Sequence, residues 1–257
     1  MSLHVFIFVE IFSGSGRLGA AAAAEGFFVL LWDITLGADY DLRVPAMRRR
    51  LLGWFSDGAA DAAHAGIPCG SWSQARRGNP DLPSGVGWPP PLRSDEHPFG
   101  KPDLAPLDQA KVHDGNILMR FTLRLLSPAE RLGFPMLVEN PASSRLWKLP
   151  ALRALAARRH VDFAVTAFCR WGENWQTRTG CLGVHLVLDP IKKTCKMNGN
   201  VCIARGRRHV CLTGAAPGGR LWTAIAEPYP RPLCRVLAQV LVSGLAARKA
   251  AAMKRFV

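Results

Sequence analysis

An apolar, β-branched and aromatic run over residues 5–12 breaks into Ser13-Gly14-Ser15-Gly16 and passes at once into an alanine-rich, helix-prone stretch from Leu18 to Glu25. Strand, glycine turn and helix in that order open a βαβ unit, and parallel strands joined by helices require a sheet covered on both faces. Glu10 interrupts the apolar run, no basic segment precedes it and no small-residue cleavage site follows. A buried first strand is therefore expected, not a signal peptide or a membrane span.

The alternation continues along the chain. Phe27 to Trp32 reads as a second buried strand closed by Asp33, residues 39–42 as a short third strand, and Pro45 to Phe55 as a basic helix. Ala59 to Ile67 leads as a strand into Pro68-Cys69, and Phe134 to Val138 is a strand carrying Glu139-Asn140-Pro141 off its end. Between them, Gln74 to Pro106 collapses into Pro, Gly, Arg, Ser and Asp, a loop too long to be a plain connection in a compact domain. Helices are expected from Leu107 to Arg131, Leu149 to Arg159 and Pro232 to Met253, with a strand from Val161 to Cys169. After Gln176-Thr177-Arg178 the pattern reads as irregular up to about Gly219. The expected architecture is α/β, with a mostly parallel central sheet and helices on both faces. Residues 1–180 form its core, 181–222 a short basic cysteine-rich insertion and 223–257 the closing helix.

In such a sheet ligands bind beyond the carboxyl ends of the strands, and the chemically capable residues all fall there. Gly14 and Gly16 allow backbone to approach a ligand, and the helix after them presents free N–H groups. Asp33 is placed to accept hydrogen bonds from a ribose diol, or equally to cap a helix. Cys69, after proline and before Gly-Ser, is a reachable thiol that needs a cationic neighbour to become a thiolate, for which Arg76, Arg77 and Arg178 are the candidates. Glu139, partly buried, would hold a proton. A cysteine nucleophile facing a carboxylic acid is the equipment for attack on an electron-poor pyrimidine ring.

These residues resemble the motifs of the cytosine-5 DNA methyltransferases. The turn FSGSGRLG is similar to their first motif, Asp33 to the acidic residue of the second and Asp41 to the aspartate of the third. Pro68-Cys69-Gly70-Ser71-Trp72-Ser73 resembles their Pro-Cys-x-x-x-Ser motif, Glu139-Asn140 their Glu-Asn-Val motif, and Gln176-Thr177-Arg178 the start of Gln-x-Arg-x-Arg. The resemblance implies a Rossmann-like methyltransferase fold and S-adenosylmethionine held by Phe12, Ser13, Gly14, Ser15, Gly16, Asp33, Ile34, Asp41, Leu42 and Pro68. It implies Cys69, Glu139 and Arg178 as catalytic residues, and Ser73, Arg76, Arg77, Asn140 and Gln176 as contacts to a flipped-out base and its strand, with the long loop closing over it. Arg76, Arg77, Arg93 and Lys101 would give that loop its phosphate contacts.

Pro141 stands where that family has valine, Gly180 where it has the second arginine, and residues 226–230 where a cofactor turn is expected. These departures define the alternative reading, a nucleic-acid-binding protein that keeps the fold without turnover. An amino-group methyltransferase would need an Asn/Asp-Pro-Pro-aromatic motif where Gly66-Ile67-Pro68-Cys69 stands.

A net charge of +14 points to a polyanionic partner, DNA by the resemblance, although charge and the catalytic pair do not choose between DNA and RNA. Seven scattered cysteines imply a reducing compartment, hence an intracellular protein at the nucleus or nucleoid by its substrate, and a monomer is expected. Cys195, Cys202, His209 and Cys211 lie among basic residues and could form a zinc knuckle. Lacking a tight Cys-x-x-Cys, they read first as unliganded.

Overall fold

The computed structural model describes residues 5–74, 89–199 and 201–253. Its centre is a six-stranded sheet built from β1 (Ile7–Ile11), β2 (Phe28–Trp32), β3 (Ala62–Gly66), β4 (Met136–Pro141), β5 (Val161–Ala167) and β6 (Arg178–Val184), in the order β2-β1-β3-β4-β6-β5. The first four strands run parallel, and β6 is inserted antiparallel between β4 and β5. This is the Rossmann-like α/β architecture that the strand–helix alternation calls for.

Period-2 alternation gives the sheet two apolar faces. On one, Val9, Ala63, Val138 and Leu182 pack with Leu51 and Phe55 of α2 (Pro45–Ser56), Leu125 of α3 (Pro106–Leu132) and Leu152 of α4 (Pro150–Ala156). On the other, Phe8, Ala62, Leu137 and Cys181 meet Leu18 and Ala22 of α1 (Arg17–Ala24) and Leu237 and Leu241 of α6 (Arg231–Met253). By length and composition α6 is able to cross a membrane. Here its side from Leu233 to Leu245 is buried in that second core.

Two expectations are corrected. Residues 39–42 are not a strand: Gly37 at φ 135° starts a 3-10 turn over Ala38–Tyr40, and β2 stays at the sheet edge. The segment after Arg178, read as irregular for its Cys, Gly, Arg and Lys content, begins instead with the buried strand β6 (Arg178–Val184), so the sheet continues past residue 180. The glycines are there for close packing. A Cβ at Gly180 would lie 3.0 Å from both Phe163 and Trp147, and one at Gly183 2.9 Å from Leu186.

Beyond the core, β7 (Met197–Asn198), β8 (Val201–Cys202) and β9 (Arg207–Arg208) make a second sheet of two-residue strands, and the short α5 (Trp222–Ile225) precedes α6.

Candidate active site

The strand order reverses between β1 and β3, which opens a crevice at their carboxyl ends. The loop after β1 enters it through Phe12, whose φ of 58° is left-handed, an uncommon state for an aromatic residue and a marker of a constrained functional turn. Gly14 and Gly16 are left-handed as well, at φ 49° and 63°. A Cβ on Gly14 would meet no atom within 4 Å, so the space over this turn is open. Gly16 caps α1 without a side-chain bond, and with Gly19 N taken by Glu10 Oε2 at 2.7 Å the amides of Arg17 and Leu18 are left as donors.

Asp33 ties this turn to β2. Its Oδ1 accepts from Thr35 N at 2.9 Å and Thr35 Oγ1 at 2.7 Å, and its Oδ2 from Gly14 N at 2.9 Å. Partial burial pushes its carboxyl up, but these bonds outweigh it and hold the group below the usual range. One acceptor position on Oδ2 stays free, beside the half-exposed apolar side chain of Ile34. An uncapped helix start, open space above a glycine, an ionised carboxylate and an apolar edge fit a ligand with a carboxylate, a diol and a ring, as S-adenosylmethionine has.

The Cys69 turn follows β3. Trp72 N and Ser73 N both donate to Cys69 O at 2.9 Å, which coils residues 69–73. Asn140 Nδ2, fully buried, donates to Ile67 O at 2.7 Å and fastens this turn to the end of β4. Beneath it lies Arg93, only 1% exposed, which donates to Ser71 O at 3.0 Å and Ser71 Oγ at 2.8 Å and stacks 3.4 Å from the Trp72 ring centroid. Arg93 is thus withdrawn from the phosphate-contact role expected of it. Its guanidinium is spent on the nucleophile turn. Burial pushes the Cys69 thiol up to about 11, with the Glu139 and Glu227 carboxylates adding to the rise, so at neutral pH the thiol is protonated.

Glu139 pairs in register with Gly66 of β3 and Cys181 of β6, which sets it at the strand ends next to the Cys69 turn. Its Oε2 accepts from Tyr229 OH at 2.7 Å and its Oε1 from Thr179 Oγ1. Burial raises its pKa, and the two hydroxyl donors only partly offset the rise. Tyr229 OH also meets His64 Nε2 at 3.2 Å. His64 is 1% exposed and burial drives its pKa down to about 3, so it is neutral. With Glu139 ionised, the tyrosine proton points at the carboxylate and His64 must carry its own proton on Nε2. Gly66 makes room for this chain, since a Cβ there would sit 3.2 Å from Tyr229 OH.

Other nominated residues are less central in this state. The Asp41 carboxylate is engaged by Arg43, through Nη2 at 2.9 Å and the Arg43 amide at 2.8 Å, and Leu42 is buried in the core. Pro68 is exposed beside the crevice. Arg178 is exposed at the start of β6, where its carbonyl accepts from Ala142 N, and Gln176 is half-buried just before it. Arg76 and Arg77 lie outside the described residues. Residues 89–105 do pack on the core: Leu92 is buried, and Asp95 pairs with Lys148 at 2.8 Å and with Arg145.

Three site residues, His64, Thr179 and Tyr229, carry no signal along the chain, and a fourth, Glu10, carries only a faint one. Glu10 is 2% exposed on β1, accepts from Gly19 N at 2.7 Å, and is raised to about 7 by burial. A lone glutamate in an apolar strand is the one pattern that could have flagged it.

No family model matches the chain, and no curated protein does. Among solved structures it is similar to a putative DNA modification methyltransferase encoded within an Escherichia coli prophage, with TM-score 0.39 and 17% identity over 70% of this chain and 46% of that one. It is also similar to DNMT2 of Spodoptera frugiperda, with TM-score 0.35 and 11% identity over 70% and 50% of the two chains. A third is the Entamoeba histolytica methyltransferase EhMeth, with TM-score 0.36 and 10% identity over 76% and 57%. The chain spans about half the length of these structures.

Proposed function

We propose that the protein transfers a methyl group from S-adenosylmethionine to carbon 5 of cytosine in DNA, through a covalent adduct on Cys69. The observation that carries this reading is Glu139, a carboxyl whose pKa burial raises, held by Tyr229 and Thr179 beside the Cys69 turn. Gly14, Gly16, the Arg17 and Leu18 amides at the start of α1 and Asp33 would hold the cofactor, which supplies an electrophilic methyl group when bound.

Carbon 5 of cytosine is too weak a nucleophile to take that methyl group unaided. Protonated Glu139 donates to ring nitrogen 3 and draws electron density from carbon 6, to which the Cys69 sulfur adds as its proton passes to solvent water. Carbon 5 then carries the electron pair that takes the methyl group. Loss of the carbon 5 proton to water, return of the nitrogen 3 proton to Glu139 and cleavage of the C–S bond restore the ring, and the departing thiolate regains a proton from water. Asn140 positions the nucleophile turn through Ile67 O, and Arg93 stiffens it from below. Stacked DNA hides carbon 6, so the base must be turned out of the duplex, and exposed Arg178 and half-buried Gln176 are at hand to steady it.

Covalent trapping on a 5-fluorocytosine duplex with cofactor present tests thiol, base flip and methyl donor together. A denaturation-stable complex is expected from the unaltered chain and none from Cys69→Ser; trapping that survives this substitution would sink the assigned nucleophile. The alternative, a nucleic-acid-binding protein without turnover, draws on one observation, the protonated Cys69 beside two carboxylates. Cofactor and duplex binding without trapping would establish it, and a 5-fluorocytosine RNA as second arm separates the two nucleic acids.

A further inference from the structure

We propose that Cys169, Cys195, Cys202 and His209 bind one zinc ion, which fastens the small sheet to the edge of the core. The sulfurs and the imidazole nitrogen of these four all lie within 4.8 Å of one another. Cys195 Sγ is 3.7 Å from Cys202 Sγ and 3.7 Å from His209 Nε2. A tetrahedral zinc with Zn–S of about 2.3 Å and Zn–N of about 2.0 Å separates its ligands by roughly 3.5–3.8 Å, and both distances from Cys195 match that shell. It is far from the roughly 2.05 Å of a disulfide.

The grouping differs from the one suggested by proximity along the chain. Cys211 is exposed and stands apart, with Thr213 Oγ1 donating to its sulfur at 3.4 Å. Its place is taken by Cys169, from the 3-10 turn Phe168–Trp171 that directly follows β5. The fourth ligand thus comes from the core. Ala167 N donates to Lys193 O at 2.9 Å, and Val210 N to Asn174 O at 2.8 Å, so segments on either side of the small sheet are stitched to the chain just before and just after that turn.

The packing of this sheet is inverted relative to a hydrophobic module. Met197, Val201 and Ile203 face solvent, while the buried group is only Ala167, Cys169 and Cys202 with Cys195 against them. Strands of two residues around four small side chains bury too little apolar surface to order themselves, which is where small domains rely on a metal. The chain turns tightly beneath Cys202, with Arg205 N and Gly206 N donating to Cys202 O at 3.1 and 2.8 Å and Gly206 left-handed at φ 64°.

Three thiolates, one neutral imidazole and Zn²⁺ sum to a charge of −1, and cations surround the site. Arg170, Lys193, Arg205 and Arg207 line a cavity of about 650 Å³ that reaches Cys169. Asn174 Oδ1 accepts from Arg205 Nη2 at 2.8 Å and Arg207 Nη2 at 2.6 Å, which aligns the two guanidinium groups. Cys169 follows the carboxyl end of β5, and Ala167 pairs with Arg178. The zinc therefore holds a cationic face at the same carboxyl end of the sheet as Cys69 and Glu139. Its role as a clamp for the DNA backbone rests on the proposed function; the metal site does not.

The full chain, purified under reductant without chelator, should contain one zinc by elemental analysis. Cys169→Ser, Cys195→Ser, Cys202→Ser and His209→Ala should each lose it, and Cys211→Ser should keep it. Cobalt in place of zinc should give thiolate-to-metal charge-transfer bands and the intense visible bands of a tetrahedral ion. His209→Cys, which preserves four ligands, should still bind cobalt with stronger thiolate bands. A chain with neither zinc nor cobalt bands, a Cys195–Cys202 disulfide in the reduced preparation, or zinc kept by Cys169→Ser and lost by Cys211→Ser would overturn the site. None of these readouts needs cofactor or DNA. Metal-free protein that traps on 5-fluorocytosine overturns the zinc alone, and zinc-loaded protein that does not trap overturns the methyl-transfer reading alone.

Discussion

At the residue scale the site is governed by desolvation. Cys69, raised to about 11, should react with iodoacetamide at pH 7.5 about a hundredfold more slowly than an ordinary thiol, and its rate should climb without a plateau past pH 9. Mass spectrometry resolves this residue from exposed Cys211, the internal reference; a plateau near 8.5 contradicts the buried environment. Tyr229→Phe removes a donor that favours ionised Glu139, so the Glu139 pKa rises further. If the proposed methyl transfer holds, the alkaline limb of its kcat/KM profile should move to higher pH while kcat falls about tenfold, roughly 1.4 kcal/mol. Glu10 supplies a stability test. Its folded pKa of about 7 exceeds its unfolded value, so its contribution is complete below about pH 4.3 and is lost as pH rises through 7. Glu10→Gln should remove that slope and, at pH 8, stabilise the protein by up to about 3 kcal/mol in urea titrations.

At the scale of elements, α3 and the nucleophile turn meet at Gly115. A Cβ there would lie 2.4 Å from Ser71 Oγ, 3.1 Å from Arg93 Nη2 and 3.2 Å from Trp72 Nε1. Gly115→Ala should therefore cost about 1–3 kcal/mol in urea unfolding and loosen the Cys69 turn, seen as faster alkylation of Cys69. A glycine in a helix interior ordinarily weakens it, so replacement by alanine elsewhere would stabilise; the sign reverses here because of what faces it. The main elements were legible because their periodicity is local: apolar runs for β1 to β5 and a helical repeat for α3 and α6. β6 was not, because Gly180 and Gly183 look like breakers until Trp147 and Leu186 are seen filling the space they leave.

For the whole molecule, the proposed duplex binding can be tested on the cationic face beside Cys169. If Arg170, Lys193, Arg205 and Arg207 each neutralise one phosphate, log K for duplex binding should fall with log salt with a contribution of about −3 to −4 from this face. Lys193→Gln or Arg207→Gln should each reduce the slope by about 1, read from fluorescence anisotropy titrations at several salt concentrations. An unchanged slope in both variants would move the nucleic-acid face elsewhere.

The sequence by itself determined the βαβ opening, the parallel character of the sheet and the placement of Gly14, Asp33, Cys69 and Glu139 at strand ends, since each depends on neighbours a few residues away. Only the tertiary structure decided which groups surround them. Tyr229 reaches Glu139 across 90 residues, Asn140 reaches Ile67 across 73, and Cys169 joins cysteines from another segment. It also turned Arg93 from a surface cation into a buried strut. Hydrogen bonds and metal shells form between groups that burial brings together, and burial is a property of the packed chain, not of any stretch of it.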